Sequence, residues 1–139
     1  MNILVIDAQG GGLGKQLITA LKKNFPDMDI TAVGTNTMAT GVMLKAGASH
    51  AATGENAVVV SSRKADIIIG PLAIVIADSM FGEITPAMAL AVAQSNAKRI
   101  LIPFNHCDNI VVGIHDYNVT ALIQEAIEEV TKTLPSRQP

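Results

Sequence analysis

Four of the five residues from Gly10 to Gly14 are glycine, and they stand between an apolar run, Ile3 to Ile6, and a segment with Leu13, Leu17, Leu21 and Phe25 at steps of four. A turn needs that many glycines only where the backbone bends sharply or something approaches it closely. The chemistry it invites is anion binding. A helix beginning near Leu13 exposes its first free amides and the positive end of its dipole beyond the strand. Lys15 lies in that first turn, where a cation is disfavoured by about 0.3–1 kcal/mol unless it is well solvated or an anion sits beside it. A phosphate on the Gly11 to Gly14 backbone, with Lys15 as a second contact, is the expectation. Asp7 ends the apolar run, placed to meet a ribose, a cation or a backbone amide.

Further polar and glycine residues follow each later apolar run: Thr35-Asn36, Thr53 to Asn56, Gly70-Pro71, and Asn105 to Asp108. The expected ligand contacts are Asp7, Gln9, Gly10, Gly11, Gly12, Leu13, Gly14, Lys15, Thr35, Asn36 and Gly70. Thr53-Gly54-Glu55-Asn56 reads first as a helix start with an acidic first turn. Asp78 and Glu83 flank Ser-Met-Phe-Gly and suit either an acid/base pair, a grip on ligand hydroxyls, or plain loop and cap carboxylates. His106, Cys107, Asp108 and His115 contain types that bind zinc or act as nucleophile and base. No CxxC or HxxxH spacing supports a closed site, so no metal is expected, and a buried thiol and a loop histidine are the plainer reading.

The elements that must position these residues alternate. Ile3 to Ile6, Ile30 to Val33, a short run around Ser49 to Ala52, Asp66 to Gly70 and Arg99 to Pro103 read as strands, with Ile110 to Gly113 a possible sixth. Helices are expected from near Leu13 to Phe25, Met38 to Ala46, Ala57 to Arg63, Thr85 to Ser95 and about Val119 to Leu134. The third of these is a weak helix sequence because of Val58-Val59-Val60, but a parallel crossover needs something to span it. Thr85 to Ser95 has no polar face, which places it inside the fold or at a subunit contact and favours a homo-oligomer, most simply a dimer. Gly41 within a helix suggests close approach by another element. The alternation predicts an α/β three-layer sandwich with a mainly parallel sheet of five to six strands, and in such sheets ligands bind beyond the carboxyl ends of the strands.

A chain of 139 residues suits one domain, read here as residues 1–134 with a frayed tail over 135–139. Only 3% of residues are aromatic, so the core must be built from Ile, Val, Leu, Ala and Met. The net charge of −2 and the scatter of the ten basic residues argue against nucleic acid as a partner. Ile67 to Ala77, bracketed by Asp66 and Asp78, falls far short of the ~20 residues that cross a bilayer, so no membrane partner is expected. One cysteine and an opening strand in place of a leader suggest a cytoplasmic protein.

The glycine turn can be laid on known patterns. Gly14-Lys15 matches the end of GxxxxGK[ST], but Gln9 stands at its first glycine and Gln16 at its hydroxyl position. Against GxGxxG the spacing is one residue short, and the acidic residue expected ~20 positions on is missing from Gly34-Thr35-Asn36-Thr37. Locally DAQGGGLG resembles the TGxxxGxG turn of the short-chain dehydrogenases, with Gly12, Leu13 and Gly14 on its GxG end, which implies NAD(P) as a possible cofactor. Their YxxxK has no counterpart, since Tyr117 is followed four positions later by Ala121. Over nearly its whole length, through MNILVIDAQGGGLGK, TAVGTN, TGENAVVV, DIIIGP, ADSMFGEITPAMA and RILIPFN, the chain resembles a small bacterial family of unknown function, which implies a Rossmann-like fold and no particular activity. The functional expectation is a small anionic ligand, a nucleotide or another phosphorylated metabolite, held at the glycine turn. The alternative is a non-catalytic oligomeric subunit or regulator whose glycines serve packing only.

Overall fold

In the computed structural model, which describes residues 1–103, 108–114 and 118–135, the apolar run after Met1 becomes the centre of the sheet. β1 (Asn2–Asp7) is buried on both faces from Ile3 onward, as expected of a strand with neighbours on either side and helices above and below. The chain continues through α1 (Gly12–Asn24), β2 (Asp29–Gly34), α2 (Thr37–Lys45), β3 (His50–Thr53), α3 (Glu55–Lys64) and β4 (Ile67–Pro71). A short 3-10 turn (Leu72–Val75), α4 (Pro86–Ala93), β5 (Lys98–Ile102) and α5 (Val119–Thr133) complete it. The five strands are parallel in the order β3-β2-β1-β4-β5, with Ile3 paired to Ile30 on one side and to Ile67 on the other. This is an α/β Rossmann-like fold.

Alternation along the strands sends side chains to two cores. Ile3, Val5, Ile67 and Ile69 pack under Leu17, Ile18 and Leu21 of α1, Met43 of α2 and Ile123 and Ile127 of α5. Leu4, Ile6 and Ile68 pack against Val58 of α3 and Met88 and Val92 of α4. Helix starts follow local chemistry: the side chains of Asn36, Thr85 and Asn118 accept the N–H of Ala39, Met88 and Ala121, and Pro86 opens α4. α3 forms through its valine run because Val58 is fully buried on the sheet, and packing outweighs the weak propensity.

Three expectations are corrected. Residues 110–113 form no strand: Ile110 and Val112 are 90% and 94% exposed, and an apolar run without a neighbouring ladder has nothing to pair with. Of the two placements open to the wholly apolar α4, full enclosure inside the fold is not the one taken: Met88, Ala89 and Val92 are buried while Leu90 is 60% exposed. A side chain at Gly41 would meet nothing within 4 Å, so no element approaches it closely. No helix among the described residues is long and apolar enough to cross a membrane.

The connection from β4 to α4 has an unusual backbone. Asp78, Met80 and Phe81 have φ of 63°, 58° and 57°, followed by Gly82 at 86°. Non-glycine residues held there cost about 1–3 kcal/mol each, so the surroundings must enforce them. The Asp78 N–H donates to the Ile84 carbonyl at 2.7 Å and the Ser79 hydroxyl to the Ala73 carbonyl at 2.7 Å, while Phe81 at the tip is wholly exposed.

Candidate functional site

From β1 the chain steps outward to β2 and β3, then crosses back to β4 on the other side of β1. The connections after β1 and after β4 therefore leave on opposite faces, opening a crevice at the carboxyl ends of these two strands. A cavity of about 270 Å³ lies there, lined by residues 7–13 and Gln16, by Pro71 and Ala73 after β4, by Met80, and by Val119 at the start of α5.

The glycines divide by role. Gly11 has φ +73°, and a Cβ on it would sit 2.8 Å from the Ala39 backbone, so the turn and its contact with α2 require it. A Cβ on Gly14 would fall 2.5 Å from the Met43 sulfur, and one on Gly70 2.5 Å from the Ile6 carbonyl oxygen, so these two serve the packing of helix on helix and strand on strand. Gly10 and Gly12 are different. Neither has a positive φ, a side chain on either would meet nothing within 4 Å, and both line the cavity.

Two carboxylates hold the turn. Asp7, 3% exposed, accepts from the Ala8 N–H at 2.8 Å and the Gly14 N–H at 2.7 Å, one on each oxygen. Of the three partners the sequence left open for it, the backbone amide is the one it takes. Burial pushes its carboxyl above the usual range, against the opposing pull of the Gly14 and Ala8 amides. Glu83 reaches across from the strained connection, and its Oε1 accepts from the Gln9 N–H at 2.9 Å, the Thr35 hydroxyl at 2.7 Å and the Asn36 side-chain amide at 2.8 Å. Partial desolvation works against its charge, but these donors prevail and hold it below the usual carboxylate range. Asn36 also donates to the Gln9 carbonyl at 3.0 Å, so Gln9, at φ 52°, is clamped from both sides.

With these amides engaged, the N–H groups of Gly10, Gly12 and Leu13 have no acceptor among the described residues. All three belong to residues on the cavity wall, at the positive end of α1.

The expected contact residues are thus brought together only in part. Asp7, Gln9, Gly10, Gly11, Gly12 and Leu13 line the cavity; Gly14 and Gly70 lie in the packing beside it. Lys15 is exposed and outside the lining, and Thr35 and Asn36 face Glu83 instead. Asp78 and Glu83 make no hydrogen bond to each other; Glu83 is bound to Gln9, Thr35 and Asn36 in the turns that follow β1 and β2, while Asp78 is exposed. Thr53 ends β3, Gly54 caps α3, Glu55 and Asn56 begin it, and none of the four is in the lining. Pro71, named with Gly70 at the end of the fourth apolar run, does line the cavity. Sequence reasoning missed Gln16, Ala73, Met80 and Val119; Gln16 had a signal, being four residues and so one helical turn from Gly12, and Met80 had none. The readings placed on Asn105, His106, Cys107, His115, Tyr117 and the tail beyond Pro135 lie outside the described residues. Within the described residues no group of three His, Cys, Asp or Glu side chains is placed to hold a metal ion.

A dodecameric FMN-dependent Ubix-like decarboxylase from Escherichia coli O157:H7 is similar in structure over 100% of this chain and 98% of its own, at 14% identity and a TM-score of 0.47. That likeness is too distant to inform the site. No curated protein matches the sequence. Residues 2–135 do match one family, and the chain accordingly belongs to DUF3842, a domain of unknown function.

Proposed function

We propose that this protein binds a nucleotide or another phosphorylated metabolite through the backbone of Gly10, Gly12 and Leu13. The observation that carries the reading is the pair Gly10 and Gly12. Backbone conformation and packing explain Gly11 and Gly14, but neither explains a missing side chain at two positions with open space on the cavity wall. Close approach of a ligand to the main chain does explain it. The three unpaired amides at the head of a 13-residue helix supply what an anion needs. Lys15, in the same first turn, adds favourable charge from the surface. The likeness of the turn to that of short-chain dehydrogenases extends only to this cradle, with NAD(P) one of the nucleotides to test.

On this reading the molecule is a cytoplasmic, one-domain binding protein over residues 1–134. The open flank of α4 at Leu90 and the exposed Phe81 support self-association, most simply into a dimer. The test is direct. Purified protein is denatured and the supernatant analysed by absorbance and mass spectrometry for a retained nucleotide, and stripped protein is titrated calorimetrically with pyrophosphate. Retention of a phosphorylated compound or saturable one-to-one binding supports the proposal. Absence of both defeats it.

A further inference from the structure

Glu83 stands where the sequence lacks an acid. Position Thr35-Asn36, at the carboxyl end of β2, carries no carboxylate, yet the fold brings one there from 47 or 48 residues further along the chain. Its Oε1 is fully used by three donors. Its Oε2 accepts nothing from any described residue and is not buried. The side chain is thus fixed in place with one negatively charged acceptor left over.

That leftover charge constrains any ligand. The Gln9 amide held by Glu83 is one residue from the free Gly10 amide, about 3.8 Å between consecutive Cα atoms. An anion on Gly10, Gly12 and Leu13 therefore lies close to a carboxylate and is repelled by it, unless the same ligand turns hydrogen-bond donors toward Oε2. Vicinal hydroxyls do this, since each donates a charge-assisted hydrogen bond to a carboxylate oxygen. A molecule with phosphate at one end of a sugar ring and two adjacent hydroxyls at the other satisfies both demands. Free phosphate satisfies only the first.

We infer that Glu83 is a specificity-determining residue that accepts the ribose hydroxyls of a nucleoside 5′-phosphate whose phosphates lie on the Gly10 to Leu13 backbone. This rests on the proposed anion cradle and adds the ligand class. Thr35 and Asn36 act as positioning residues that aim the carboxylate.

The experiment titrates wild type and Glu83→Gln with ADP, 2′,3′-dideoxy-ADP and pyrophosphate. Wild type is expected to bind ADP about tenfold more tightly than the dideoxy compound. In Glu83→Gln that preference should fall to about threefold or less, while pyrophosphate, relieved of the repulsion by the carboxylate, should bind more tightly than to wild type. Equal wild-type affinities for the two nucleotides, with pyrophosphate still bound, overturn the role of Glu83 and leave the cradle standing. A preference that persists in Glu83→Gln also overturns it. If pyrophosphate and both nucleotides fail to bind, cradle and diol contact fall together. Should Glu83→Gln not fold, the wild-type comparison decides alone, because it needs no variant.

Discussion

Gly12→Val separates a binding glycine from a structural one. Valine at this position begins a helix, where its propensity is better than that of glycine by about 0.3 kcal/mol, and its branches project into open cavity. The fold should therefore melt within about 2 °C of wild type. Binding should not survive. A hydrogen bond from an amide to a charged group contributes about 1.5–3 kcal/mol, and blocking one of the three free amides already exceeds the ~1.4 kcal/mol that makes tenfold in Kd. The control is Gly11→Ala, one residue away. Its φ of +73° costs an L-residue about 1–2 kcal/mol, and the new Cβ falls 2.8 Å from the Ala39 backbone, which cannot swing aside. A loss of about 2 kcal/mol lowers the melting temperature of a 139-residue chain by about 7 °C. Calorimetric titration with pyrophosphate and ADP, beside thermal melts without ligand, reads both effects. The reasoning is refuted if Gly12→Val binds both as wild type does, or if it melts as low as Gly11→Ala.

The two carboxylates give opposite pH signatures. Glu83 is held below its ordinary range, so its stabilisation is present at neutral pH and is lost as pH falls through the lowered folded value; Glu83→Gln should flatten that limb of a urea-midpoint-versus-pH curve. Asp7 is raised in the fold, so the folded chain takes up its proton first, and stability from this group declines as pH rises from the ordinary value through the folded one. Asp7→Ala leaves the Ala8 and Gly14 amides without acceptors and should cost about 1–3 kcal/mol in urea unfolding at pH 7; an unchanged midpoint would remove the structural role assigned to it. Light scattering at micromolar concentration should give twice the chain mass, and Leu90→Glu should shift it toward one, since a charge there opposes an apolar contact; a wild-type monomer ends this proposal.

The five strands among the described residues were legible because each run is bounded by Gly, Pro, Asn or Asp, and α1, α2, α4 and α5 because each carries its cap or its period in its own few residues, whereas α3 followed only from the need to span a parallel crossover. Asn36 and Thr85 are of this local kind. The sixth strand failed for the complementary reason: Ile110 to Gly113 looks like a strand, but pairing depends on a neighbour that the run does not encode. The site was half legible. Glycines between a strand and a helix announce a turn near a ligand, but only packing tells Gly11 and Gly14 from Gly10 and Gly12. Glu83 was visible as a carboxylate in a loop and invisible as a partner of Thr35, because contacts across 48 residues leave no local mark. The left-handed backbone at Met80 and Phe81 was hidden likewise, since these residue types do not signal it, whereas Asp78 is of a type enriched there.

The central position of β1 also sets an order of events during translation. β1 emerges from the ribosome before every strand that pairs with it, and its β2 edge can close once Gly34 exists, whereas its other edge must wait for Ile67, Ile68 and Ile69. At ~5–20 residues per second the 35 residues from Thr35 to Ile69 take roughly two to seven seconds. Throughout that interval the nascent chain presents Ile3, Leu4 and Val5 along an unpaired edge, the kind of surface on which one polypeptide templates another. Yield in a cell is thus set partly by how soon α3 delivers β4, and substitutions that weaken the Val58 contact should raise aggregation during synthesis more than they lower the melting point of the finished molecule.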